Sequence, residues 1–151
     1  MRKLVLPVAI AALALLGACA TATPYQAAMD SSSRGYSEQQ IENNRFRVQF
    51  SGNSLTDRKT VETYLLYRAA ELTKLNGYDH FRVVHRDTDP FWPRWGYYDP
   101  YWGPAQYRES TRYMASAEIL MGKGPKPDDA AYFDADQVLM NLSGSIVRPE
   151  A

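Results

Sequence analysis

Residues 45–85 read "RFRVQFSGNSLTDRKTVETYLLYRAAELTKLNGYDHFRVVH", and the change of period inside this stretch decides the fold class. Phe46, Val48 and Phe50 alternate with Arg45, Arg47 and Gln49, the period of two that a strand shows when one face is buried. Ser51-Gly52-Asn53 ends that run. From Val61 the period becomes helical, with Val61, Tyr64, Leu65, Ala69, Leu72 and Leu75 on one stripe. Thr56 is the expected N-cap and Asn76-Gly77 the expected stop, framing a helix of about twenty residues. Alternation then returns, with Phe81 and Val83 on one face and His80, Arg82 and Val84 on the other.

Working outward toward the C-terminus, "STRYMASAEILMGKG" at 110–124 predicts a longer strand with Tyr113, Ala115, Ala117, Ile119 and Met121 on one face. Its two alanines are small enough to let a helix lie close over the sheet. "KGPKPDD" at 123–129 is a turn by its glycine and proline content. "YFDADQVLMNLSG" at 132–144 starts with aspartates suited to a helix N-terminus, places Val138, Leu139 and Leu142 at helical spacing and stops at Gly144. "SIVRPEA" closes the chain as a short edge strand. The expectation is a single small α+β domain in the order β-α-β-(long aromatic loop)-β-α, with an antiparallel or mixed sheet of about three to four strands and two helices packed on one face.

Toward the N-terminus the chain opens "MRKLVLPVAIAALALLGACA", two cations, an apolar run and small residues leading to the only cysteine. The apolar run is shorter than the roughly 20 residues of a bilayer helix, so residues 1–18 read as a cleaved secretory signal peptide. Leu16-Gly17-Ala18-Cys19 resembles the lipobox of bacterial lipoproteins, which implies that Cys19 is acylated and becomes the new N-terminus. A single cysteine in a secreted chain makes no internal disulfide, and acylation accounts for it. Ala20 in place of aspartate implies, by the same resemblance, the outer membrane and its periplasmic face. Residues 19–43 are small and polar and read as a flexible tether that holds the domain about 25 Å from the bilayer, with Tyr25 and Tyr36 as partial docking points. The globular domain is expected at 44–151.

Removing Arg2 and Lys3 with the signal leaves 15 basic against 17 acidic residues. A near-neutral balance disfavours nucleic acid, which needs a basic surface. The 133 residues that remain suit one domain.

"GYS" at 35–37, "FSGNS" at 50–54, "VETYLLYRAAELT" at 61–73, "GYDHF" at 77–81 and "YFDADQVLMNL" at 132–142 together resemble a family of small, uncharacterised lipoproteins found mainly in alphaproteobacteria. The resemblance spans most of the mature chain. It implies the lipoprotein address and a shared small fold, and it brings no catalytic residues.

No residue set names a reaction. The two histidines, His80 and His85, stand five residues apart in a strand and should point to opposite faces, short of a metal set. Serines occur without a G-x-S-x-G elbow. Asp79, Asp87, Asp89 and Asp99 are the carboxylates for a glycan hydrolase, yet all flank turns or proline, where aspartate is common. "GKGP" at 122–125 lacks phosphate-loop spacing. Arg68 sits at the edge of the apolar stripe with Glu71 one turn on, a pair whose expected role is structural. No cofactor is implied.

What stands out is "DPFWPRWGYYDPYWGPAQY" at 89–107, inside an expected loop 88–108, with eight aromatic rings, four prolines and all three tryptophans of the chain. Its ring area is on the order of 1,000 Å² or more, above the 300 to 600 Å² of the largest apolar patch on a typical monomer, so the rings do not all face water. Either they cover the sheet or they form a contact surface. The candidate binding residues are Phe91, Trp92, Arg94, Trp95, Tyr97, Tyr98, Tyr101 and Trp102. A docking protein of the envelope, the headgroup layer of the membrane and cell-wall glycan are the three candidate partners, besides lipid through Cys19. The functional expectation is a non-enzymatic outer-membrane lipoprotein that acts by binding or in envelope integrity; the alternative is a cell-wall glycan-binding protein or hydrolase using the loop aspartates.

Overall fold

The computed structural model of the 151-residue chain describes residues 21–91 and 112–151. Among them an α+β fold forms from a five-stranded antiparallel sheet and two helices, in the order β1 (Gly35–Glu42), β2 (Arg45–Ser51), α1 (Arg58–Leu75), β3 (His80–Phe91), β4 (Arg112–Gly122), β5 (Tyr132–Asp134), α2 (Ala135–Leu142), with a short 3₁₀ turn at Ser143–Ser145. The spatial strand order is β1-β2-β4-β3-β5.

The sheet has two more strands than the three that alternation predicts. Edge strand β1 lies within the expected tether, pairing Gly35 with Ser51 and Glu38 with Val48. The folded body therefore begins well before residue 44, which corrects the 19–43 tether. Further upstream, Tyr36 N–H donates to Gln26 O at 2.8 Å and Ala28 N–H to Tyr36 O at 2.8 Å, a short parallel bridge. Gly35 turns into β1 with φ of 122°, and a Cβ there would meet Gln26 O at 2.3 Å, so this corner needs glycine. β5 is only three residues long and precedes α2 where the sequence reads as helix alone.

Helix α1 starts one residue later than expected. Asp57, not Thr56, is its N-cap, with Oδ1 accepting from Thr60 N–H at 2.6 Å. The helix stops at Asn76, whose amide donates to Leu72 O, followed by Gly77 at φ of 76°. Its buried face carries Val61, Tyr64, Leu65, Ala69 and Leu72, whereas Leu75 is 72% exposed. Opposite lie Phe46, Val48 and Phe50 of β2, Ala115, Ala117, Ile119 and Met121 of β4, and Phe81 of β3, all buried. Burying a side chain of this size is worth about 1.5–3 kcal/mol, so this layer dominates the stability. Only α1 spans the sheet; α2 packs Val138, Leu139 and Leu142 at the margin of the core beside α1 and β5. The C-terminal segment is not a strand: it runs extended, and Val147 O accepts from Tyr25 N–H at 2.7 Å.

β3 contains a bulge. Val83 pairs with Ile119 and His85 with Glu118, so Val84 is the extra residue and the side-chain parity shifts after it. Past Arg82, β3 has β4 on one side only among the described residues, and Pro90, which has no amide to donate, falls on this open edge. The expected loop 88–108 is thus shortened at its start: residues 88–91 extend β3 opposite Arg112–Ala115, and 92–111 lie outside the described residues.

Candidate functional site

One end of the sheet gathers several chain ends. Ser51 pairs with Met114 and Phe91 with Arg112, so β2 ends, β3 ends and β4 begins at this edge, and β1 starts there opposite Ser51. Gly52 N–H donates to Tyr113 O at 3.0 Å and carries the chain around to Asn53. Phe91 and Arg112, the described residues on either side of 92–111, lie at this end.

The segment after the cysteine docks at the same end. Thr23 is 4% exposed; its amide donates to Thr56 Oγ1 at 2.8 Å, and its own Oγ1 accepts from Asn53 N–H at 2.9 Å. Asn53 also donates through Nδ2 to Thr21 O at 2.6 Å. Thr56, expected as a helix cap, instead serves as a buried hydrogen-bond junction, donating onward to Asn53 Oδ1 at 2.8 Å.

Tyr25 continues this docking into the core. Its ring stands edge-on to Tyr64 and Tyr67 and 4.9 Å from that of Tyr36. Its hydroxyl donates to the Glu71 carboxylate. Glu71 also receives Arg68 at 3.1 Å and Arg148 at 3.1 Å, and Arg68 reaches Glu38 of β1 at 2.7 Å while lying over the Tyr36 ring. Burial first, then the bond to Glu71 and its charge, push the Tyr25 phenol well above its usual value. For Arg68, burial works against the charge and is outweighed by the bonds to Glu38 and Glu71, so the guanidinium stays protonated throughout. Arg68 and Glu71 are therefore a structural clasp, tying β1, α1, the N-terminal segment and the C-terminal segment together.

At the same end of the sheet a cleft of about 350 Å³ has Ser31, Ser32, Arg34, Ser51, Arg112, Tyr113 and Met114 in its lining. Arg34 donates through Nη1 to Gly52 O at 3.1 Å. Arg112 Nε is buried and has no hydrogen-bond partner among the described residues. The nearby Asp30 is held in its own turn, accepting from Ser32 N–H at 2.8 Å and Ser32 Oγ at 2.6 Å, and these bonds hold its carboxyl below the usual range.

Of the residues singled out from sequence, Cys19, Trp92, Arg94, Trp95, Tyr97, Tyr98, Tyr101, Trp102 and Asp99 lie outside the described residues, and Phe91 is the last residue of β3. His80 and His85 do not point to opposite faces, because the bulge at Val84 restores them to one face. They still serve apart: His80 is buried over Gly122 with Nδ1 3.0 Å from Gly124 O, and exposed His85 faces Asp87 at 3.4 Å. Asp79 accepts from Gly124 N–H at 2.7 Å, a turn-closing bond that holds its carboxyl low. Among the described residues, no three His, Cys, Asp or Glu side chains cluster as a metal set, and no helix is long and apolar enough to cross a membrane. Sequence reasoning missed Arg34 and Arg112, which are far apart in the chain and meet only through the β1-β2-β4 pairing.

No protein-family model, no curated protein and no solved structure matches the chain.

Proposed function

We propose that this chain is a non-enzymatic lipoprotein of the bacterial outer membrane, of the small alphaproteobacterial type that it resembles, anchored through acylated Cys19 and working by contact at the membrane surface through its aromatic stretch. The observation that carries this reading is the docking of Thr21 and Thr23 at the sheet end that holds Phe91 and Arg112, the neighbours of 92–111 in the chain. Thr23 is the fourth residue after Cys19, a span of at most about 14 Å. An acyl chain on Cys19 therefore brings this end of the domain to the headgroup layer. Trp and Tyr side chains favour that layer, where an apolar ring and a polar edge are both accommodated. Among the three candidate partners of the stretch, the short span favours the membrane itself.

All three tryptophans lie between residues 92 and 102, so intrinsic fluorescence reads this stretch without a label. On mixing with phospholipid vesicles, the emission should shift to the blue and be quenched by brominated acyl chains. Emission unchanged by vesicles would contradict membrane contact. Cys19→Ala should in turn remove the protein from the membrane fraction, and full retention would contradict the anchor. Cell-wall fragments turned over by the wild type and not by Asp89→Asn would overturn the non-enzymatic reading in favour of the hydrolase.

A further inference from the structure

Arg34 and Arg112 line one cleft at the end of the sheet. Guanidinium groups carry five N–H donors and no acceptor, and a buried donor left without a partner loses the hydration it had in the unfolded chain. Here two guanidinium side chains line one cleft, and no carboxylate is among its lining residues. Arg34 uses one donor on Gly52 O. Arg112 Nε uses none among the described residues, although it is removed from water. Burial first, and then the like charge of Arg112, lower the Arg34 pKa. Ser31 and Ser51 add hydroxyls around the pair, while the Ser32 hydroxyl is already donated to Asp30.

We propose that this cleft binds a phosphate-type oxyanion, with Arg34 and Arg112 as its two cationic arms and the Ser31 and Ser51 hydroxyls completing the cradle. A tetrahedral oxyanion offers several acceptors at once, matches the fork of a guanidinium and relieves the repulsion between the two arginines. A volume of about 350 Å³ accommodates a phosphate ester as readily as the free ion. The same chemistry is carried by a lipid headgroup and by inorganic phosphate. The headgroup source rests on the membrane reading above; the pocket itself does not.

The test uses the full chain in detergent, with inorganic phosphate as one probe and phosphatidylglycerol vesicles as the other. Thermal unfolding in phosphate, compared with chloride at equal ionic strength, should show a saturable stabilisation of the wild type. Phosphate also stabilises proteins generally through exclusion from their surfaces, so the readout is the part of the shift that Arg112→Gln removes. Arg112→Gln and Arg34→Gln should each weaken phosphate binding about tenfold, the weight of one charge-assisted hydrogen bond. Arg112→Gln alone, without ligand, should leave the melting temperature unchanged or raise it, because it removes an uncompensated charge. In the Cys19→Ala background, which lacks the acyl anchor and needs no detergent, weaker co-sedimentation of Arg112→Gln with phosphatidylglycerol vesicles makes the ligand a headgroup, and loss of the phosphate response alone makes it a free phosphate. A phosphate response identical in wild type and both variants overturns the site. So does a ligand-free melting temperature that falls by several degrees in Arg112→Gln, since that guanidinium would then be satisfied within the protein.

Discussion

The Thr23 amide donates to the Thr56 hydroxyl oxygen at 2.8 Å, and both residues are buried, so the chain just after Cys19 is fastened to the loop that starts helix α1. Thr56→Val keeps the shape and removes the acceptor. A buried amide left unpaired costs about 1–3 kcal/mol, and the variant should lose that much stability in denaturant while its N-terminal segment becomes the first site of protease nicking. Thr56→Ser, which keeps the oxygen, should protect the segment as the wild type does.

Tyr25 gives a pH signature. Its phenol is raised above the ordinary value of 10.0, chiefly by burial and then by Glu71, so the folded state favours the neutral form. A raised folded pKa means stability that is fully present below the unfolded value and lost as pH rises. The protein should therefore lose stability as pH climbs above about 10. Tyr25→Phe has no proton to release and should show a shallower alkaline loss, at a cost near neutrality of about 1 kcal/mol for the missing hydrogen bond. Urea titrations of both proteins between neutral and alkaline pH measure the difference in slope.

Ala115 and Ala117 let α1 approach the sheet. Ala115 is wholly buried, and Ala115→Leu should cost about 1–3 kcal/mol by overpacking. Ser116 lies on the opposite face, beside Gln49 and Asp87 in the register, and Ser116→Leu should stay within about 0.5 kcal/mol. Equal costs at the two positions would contradict the assignment of faces.

Asp57 caps α1 through Thr60 N–H, and its hydrogen bonds to Thr60 lower the carboxyl's pKa. Asp57→Ala should cost about 1 kcal/mol, and Asp57→Asn, an equally good cap, much less. Because the folded pKa is depressed, the ionic part of this contribution is present above the unfolded value and lost as pH falls through the folded one. Acid titrations of stability should therefore separate the wild type from Asp57→Asn while the alanine variant is weaker throughout.

Strong periodicity made much of the core legible. The alternation of Phe46, Val48 and Phe50, the stripe from Val61 to Leu72, and the Ala115 to Met121 face of β4 stand in the fold as they read in the sequence. β1 escaped because "GYSEQQIE" has no alternation to see: its helix-side face carries Glu38 where an apolar residue would mark a strand, and Glu38 pairs with Arg68. The bulge at Val84 leaves no trace in composition, yet it moves every later side chain of β3 to the other face, His85 included. Tyr25 lies in polar surroundings in the sequence, and only the fold supplies Tyr64, Tyr67 and Glu71 as its neighbours. The arginine cleft was illegible for the same reason, since Arg34 just before β1 and Arg112 at the start of β4 are brought to one cleft only by the fold.

In the proposed membrane-anchored arrangement, the end of the domain bearing Thr23, Asn53 and Thr56 faces the membrane at close range. Leu55 and Leu75 report on it directly, being 54% and 72% exposed near opposite ends of α1, whose 18 residues span about 27 Å. With Cys19 acylated, a fluorophore on Leu55→Cys or on Leu75→Cys is the only label. In vesicles carrying headgroup nitroxides, the Leu55 probe should be quenched several-fold more strongly than the Leu75 probe. Equal quenching at the two positions, or stronger quenching at Leu75, would contradict the account.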